Sequence, residues 1–179
     1  MARPARNACS EQILSPVRVF FATTKTSMGR CLLQSERNEM LLIDVLRCGV
    51  LARKFQVNDF VVMPDHVHLL LTLDGGISIE KAMQLIKGGF SYRLKKEAGY
   101  VGEVWQRGFS EVRVGDRQSW LQYRKYIAEN PMKAGLCDSP GQYPYCFTSL
   151  ARRKREQGLK PAPFGALAAR LNRLRKNSF

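Results

Sequence analysis

Histidine and acidic residues are the scarce components of this 179-residue chain. His66 and His68 are its only histidines, and 15 Asp and Glu stand against 29 Lys and Arg, for a formal charge of +14. Such an excess of cations points to a polyanionic partner, most often nucleic acid. An anionic membrane surface is the competing partner, but no stretch approaches the roughly 20 apolar residues of a spanning helix. Residues 1–7 also lack the apolar core of a secretion signal. CxxC spacing is missing as well. Cys9, Cys31, Cys48, Cys137 and Cys146 are odd in number and scattered, which argues against a zinc ribbon or a disulfide framework and for reduced thiols in a cytoplasmic protein. No internal repeat stands out. The 45% hydrophobic content is that of a folded protein, and the length suits one domain with an extension.

Residues 1–16 read as a leader, 17–150 as one domain and 151–179 as a basic tail with nine Lys and Arg against one acidic residue, Glu156. The β-branched and aromatic run at 18–26 predicts a strand. Ser35 can cap a helix whose apolar positions Met40, Leu41, Val45, Leu46 and Leu51 recur at helical spacing. Residues 56–63 and 66–73 predict two further strands, with a tight hairpin or a bulge at Pro64-Asp65. Ser78 can cap a second helix that buries Ile79, Met83, Ile86, Phe90 and Leu94 and turns Lys81, Lys87, Arg93, Lys95 and Lys96 the other way. Residues 104–114 predict a fourth strand, bent near Gly108. Residues 117–130 predict a third helix, stopped by Pro131. Residues 166–176, beyond Pro161 and Pro163, predict a short basic helix in the tail. The order β-α-β-β-α-β-α predicts an α+β, ferredoxin-like split βαβ domain. Its antiparallel sheet carries helices on one face and is followed by a further helix and the basic tail.

Within the third of these strands lies the run Met63-Pro64-Asp65-His66-Val67-His68-Leu69-Leu70. Side chains two apart on a strand project from the same face, roughly 6.6 Å apart. Two imidazoles presented in this way can bind a divalent metal when a third ligand arrives from elsewhere. The alternative is a pair of hydrogen-bonded core histidines, at a desolvation cost for each. On the third helix, Tyr126 and Asn130 are four apart and share one side, at the edge of the stripe Trp120, Tyr123 and Ile127. Helical geometry alone does not distinguish this from an ordinary helix edge, and Tyr123, Tyr92 and Tyr100 are rival tyrosines.

Residues 18–146 resemble the single-tyrosine HUH (His-hydrophobic-His) transposases. Among these, the REP-associated tyrosine transposases, linked to repetitive extragenic palindromes in bacteria, match best. The resemblance rests on the His66-Val67-His68 block, on Trp105-Gln106-Arg107-Gly108-Phe109, and on Tyr126-Ile127-Ala128-Glu129-Asn130-Pro131 with Met132-Lys133-Ala134-Gly135-Leu136. Met132-Lys133 departs mildly from the usual Val-Arg of that block, and Glu111 is a candidate for the acidic residue that often follows the Trp-Gln block. The resemblance implies that His66, His68 and Asn130 ligate a divalent metal, Mg²⁺ or Mn²⁺, and that Tyr126 is the nucleophile. It further implies cleavage and rejoining of single-stranded DNA near hairpins through a 5′-phosphotyrosine, in a cytoplasmic, nucleoid-associated protein. A monomer is expected rather than a dimer, with no obligate protein partner and no membrane.

The phenol, with an ordinary pKa near 10, then needs the metal, a base, or a neighbouring cation such as Arg124 or Lys125. Metal binding needs neutral imidazoles, so activity is expected to fall below about pH 6.5. Candidate DNA contacts are Lys87, Arg93, Lys95, Lys96, Arg107, Arg152, Arg153, Lys154 and Arg155. Two other readings stand beside this one. One is an inactive nucleic-acid-binding module of the same fold, with Phe20, Phe21 and Phe60 as a stacking platform. The other is a metal-dependent nuclease that uses water and forms no covalent intermediate.

Overall fold

The computed structural model describes residues 17–156, without the side chains of Lys154 and Arg155. The expected leader, and the tail beyond residue 156 with its expected helix at 166–176, lie outside the described residues. Four strands, β1 (Arg18–Lys25), β2 (Gln56–Val62), β3 (His66–Leu73) and β4 (Ser110–Val114), form one sheet in the order β2-β3-β1-β4. Every neighbouring pair is antiparallel. Helices α1 (Glu36–Leu51) and α2 (Ile79–Ala98) cross between strands, α3 (Arg117–Lys133) follows β4, and α4 (Phe147–Glu156) ends the described chain. This is the split βαβ arrangement expected from the element order.

Alternation along the central strands decides which helix covers which residues. Phe20 and Ala22 of β1 join Val67, Leu69, Leu71 and Leu73 of β3 in the larger core. There they meet Leu42 and Leu46 of α1 and Met83, Ile86 and Phe90 of α2. Val19 of β1, Val61 of β2, Leu70 of β3 and Ile127 of α3 form a second core on the opposite face. His66 and His68 share the face of Leu70 and therefore look toward α3. The helix starts are capped as polar residues there require. Ser35, Ser78 and Asp116 accept from the amides of Asn38, Lys81 and Ser119.

Two boundaries differ from expectation. β4 comprises Ser110–Val114 alone, and Trp105 touches the sheet only as a single bridge to Thr26. Pro131 does not stop α3, which runs to Lys133. A proline so near a helix end forfeits only its bond to the Ile127 carbonyl. Its own carbonyl still accepts from Leu136 N at 2.9 Å, while Asn130 O accepts from Ala134 N at 3.1 Å.

The segment before α4 closes the outer edge of β2. Val61 bridges Cys146, and Val62 N donates to Tyr145 O at 3.0 Å. Phe147 sets its ring edge-on to Phe60 at 6.2 Å. Tyr143 Oη donates to Val62 O at 2.9 Å and meets Glu39 Oε1 at 3.4 Å. Glu39 is only 2% exposed, and burial pushes its carboxyl up to about 7.

Candidate active site

The β2–β3 hairpin turns at Pro64-Asp65, with Met63 N donating to His66 O at 2.8 Å. His66 and His68 leave the start of β3 with ring centroids 4.8 Å apart. Each imidazole is held at its Nδ1. Asp65 Oδ1 lies 2.6 Å from His66 Nδ1, and Thr23 Oγ1 lies 2.8 Å from His68 Nδ1. The register explains the second contact, because Thr23 of β1 stands directly opposite His68. With both Nδ1 atoms engaged, the Nε2 atoms are left to face other groups.

Helix α3 supplies the other side. Asn130 Nδ2 stands 3.1 Å from His68 Nε2, so the amide donates into the imidazole lone pair when Nδ1 carries the proton. Tyr126 sets its ring edge-on to His68 at 5.1 Å and is 39% exposed. Tyr123, one turn earlier, lies stacked on Phe21 at 4.4 Å. Tyr92 is exposed on α2, in the helix layer on the other face of the sheet. The geometry thus brings His66, His68, Asn130 and Tyr126 together.

Burial, followed by the charges of His66 and Lys25, lowers His68 to about 4. Its imidazole stays neutral well below pH 6.5, so the expected onset of proton competition near that value does not hold for this ring. Among the described residues no group of three or more His, Cys, Asp or Glu is placed to hold a metal ion. A metal here would rest on two imidazoles and an amide. The donor set fits that demand once the Asn130 amide turns its oxygen toward His68 in place of its nitrogen.

The cation beside the phenol is one that sequence reasoning missed. Lys133 Nζ sits 5.7 Å from the centre of the Tyr126 ring and pairs with Glu129 at 3.1 Å. Arg124 is engaged elsewhere: its Nε donates to the buried Asp59 at 2.8 Å, and its guanidinium lies over Trp120 at 4.8 Å. Lys125 pairs with Glu129 at 3.7 Å. Burial raises the Asp59 carboxyl, and the Arg124 contact opposes that rise. Lys133 stands one turn after Glu129, a spacing visible in the sequence. Thr23 left no such signal, since only the strand register brings it to His68.

The expected DNA contacts are dispersed. Lys87, Arg93, Lys95 and Lys96 belong to α2, in the layer opposite α3. Arg93 is committed to Glu97 at 2.6 Å and Asp44 at 3.1 Å, and Lys96 lies over Tyr92 at 5.8 Å. Lys87 bonds two backbone carbonyls. Arg107 is exposed in the loop before β4. Arg152 and Arg153 are exposed on α4, where Arg152 approaches Glu156 at 3.8 Å. The side chains of Lys154 and Arg155 lie outside the described residues. Glu111 pairs with Ala22 on β1, which points its side chain to the face away from Tyr126. Phe20 and Phe60 are buried in the larger core while Phe21 looks toward α3, so these three rings do not make one platform.

Residues 28–130, more than half of the chain, match the protein-family model described as "Transposase IS200 like". A REP-associated tyrosine transposase of Escherichia coli (strain K12) is 28% identical over 110 residues, which cover 61% of this chain and 62% of that protein. The chain thus matches less than two thirds of that relative's length. The fold is similar to a solved REP-associated tyrosine transposase bound to a REP hairpin. The TM-score is 0.66 and the identity 22%, over 91% of this chain and 90% of that one.

Proposed function

The chain belongs to the family of IS200-like transposases, and on that premise we propose that it cleaves and rejoins single-stranded DNA near hairpins, with Tyr126 as nucleophile. Tyr126 Oη attacks the scissile phosphorus, forming the new O–P bond as the bond to the 3′-oxygen breaks. The phenol proton passes to solvent and the released 3′-oxygen takes one up. The strand remains attached to Tyr126 by its 5′-phosphate, so the bond energy is kept for attack by another 3′-hydroxyl.

The observation that carries this reading is the convergence on His68 of Thr23, Asn130 and Tyr126, with both Nδ1 atoms engaged. His66, His68 and Asn130 would hold a divalent ion, Mg²⁺ or Mn²⁺. When bound, that ion supplies Lewis-acid polarisation of a phosphate oxygen. Lys133 sets a positive charge beside the Tyr126 ring, where it would attract the incoming phosphate. The solved relative's REP hairpin supports hairpin-bearing DNA as the partner, and so does the net charge of +14.

Incubation of the protein with labelled, hairpin-bearing single strands and Mn²⁺ or Mg²⁺ tests the reading. A covalent DNA–protein adduct is expected from the parent protein and from Tyr123→Phe. Tyr126→Phe should bind the strand and form no adduct. His66→Ala and His68→Ala should also fail to cut while retaining much of the affinity, since charge elsewhere supplies binding. Cleavage without an adduct would favour a water-using nuclease. Binding without cleavage in every metal would favour an inactive binding module.

A further inference from the structure

The chain leaves β1 on the β4 side just where the site begins. Ser110, the first residue of β4, pairs with Thr23. Gln106 N donates to Lys25 O at 2.9 Å, and Trp105 bridges Thr26. Residues 107–109 therefore bow outward between two points fixed to β1. Those two points flank the stretch of β1 whose register places Thr23 opposite His68 and Lys25 opposite His66. At two strand spacings, this bow lies roughly 10 Å from the histidines across the sheet.

The bow is clamped from the helix layer on the sheet's other face. Lys87 Nζ of α2 donates to Gln106 O at 2.9 Å and to Gly108 O at 2.6 Å. In return, Trp105 Nε1 donates to Lys87 O at 3.0 Å, and its buried ring packs against Phe90 with centroids 5.3 Å apart. Gly108 turns the chain at φ +71°, a conformation that a residue with a side chain adopts at a cost. Arg107 lies between the two clamped carbonyls. It is exposed and makes no hydrogen bond or ion pair with the described residues. Lys25, also exposed, stands beside it on β1.

We propose that residues 106–109 form a phosphate-binding shelf beside the active site, with Arg107 contacting the nucleic-acid backbone and Lys87 acting as a positioning residue. The proposal rests on the nucleic-acid reading above and assigns separate roles to two cations. Lys87 donates its hydrogen bonds to carbonyls of its own chain and is half buried, which leaves it poorly placed to meet a phosphate. Arg107 is presented to solvent by a loop tied to β1 and to Lys87. The backbone beneath it is fixed before binding, so only the side chain is left to order on an oxyanion.

Salt dependence of single-strand binding separates the roles. Each phosphate contact adds about 0.7 to the slope of log affinity against log salt, which is roughly fivefold in affinity at 0.1 M salt. Arg107→Ala should flatten the slope by about that amount and bind about fivefold more weakly. Lys87→Met should weaken binding in the parent, with Lys87→Arg restoring part of the loss. The double variant Lys87→Met/Arg107→Ala should keep the slope of Arg107→Ala alone.

An unchanged slope in Arg107→Ala would overturn the shelf, and this arm does not depend on how well Lys87→Met folds. A second loss of about 0.7 in the double variant would show that Lys87 meets a phosphate itself and overturn its positioning role. Adduct formation by the parent protein, measured in parallel, reports separately on the cleavage reading. A parent that binds without forming an adduct overturns that reading, while the slopes still decide the shelf.

Discussion

Thr23→Val keeps the shape of a β1 side chain and removes the oxygen that stands 2.8 Å from His68 Nδ1. His68 is 5% exposed, so water is poorly placed to take over. An Nδ1–H left unpaired costs about 1–3 kcal/mol. The imidazole can avoid that cost by moving its proton to Nε2 while the Asn130 amide turns its oxygen to accept it. That tautomer has no lone pair at Nε2 to offer an ion. Binding a divalent ion must then restore the Nδ1–H form and bear the cost that the tautomer shift had relieved. Affinity should fall about 10- to 100-fold, or roughly 1.4–2.8 kcal/mol. Stability in the absence of metal should change less. Calorimetric titration with Mn²⁺ reads the affinity, and long-range proton–nitrogen spectra of labelled protein read the tautomer. Thr23→Ser should restore both. A Thr23→Val protein that binds Mn²⁺ within about twofold of the parent, with Nδ1 still protonated, would refute the reasoning, since losing the partner that orients a ligating histidine costs about tenfold or more.

The remaining predictions concern groups outside the ligand set. Glu39 has a folded pKa raised from 4.5 to about 7, so its protonated form contributes stability that is complete below pH 4.5 and lost as pH rises through 7. At pH 8 that loss is about 3 kcal/mol. Glu39→Gln cannot ionise, so in urea denaturation its stability relative to the parent should improve from pH 4.5 to pH 8; a constant difference would argue against a buried, strained carboxylate. Arg124→Met leaves the Asp59 carboxylate, 6% exposed, without its partner. With Arg124 itself 39% exposed, we expect a loss of about 2 kcal/mol, below the range for fully buried pairs. Asp59→Asn in the same background should recover most of it, and failure to do so would mean that Arg124 acts through its packing on Trp120. Deleting residues 157–179, which carry five Lys and Arg, should weaken DNA binding and flatten its salt slope while bound strand is still cut. An unchanged slope would show that these cations do not touch DNA.

Local pattern carried most of the fold. Two-residue alternation in the strands and helical spacing of apolar residues in α1 and α2 follow from backbone geometry within a few residues, and the split βαβ order follows from their succession. His66 and His68 share a face for the same reason, and Tyr126 and Asn130 share a helix side because four residues make about one turn. Pairings between distant segments were not legible in this way. Thr23 reaches His68 across 45 positions, and Arg124 reaches Asp59 across 65. The same holds for the covering of β2's edge by residues 145–146, since strand register and edge pairing emerge from the packed core as a whole. The cations show the limit most plainly. Lys87, Arg93 and Arg107 look much alike in a sequence, where Glu97, one turn after Arg93, is the one partner that helical spacing offers them. Tertiary structure ties the first to two carbonyls and the second to two carboxylates, and leaves the third facing solvent. A charge's role depends on what lies within a few ångströms of it, and folding, not sequence neighbourhood, chooses that company.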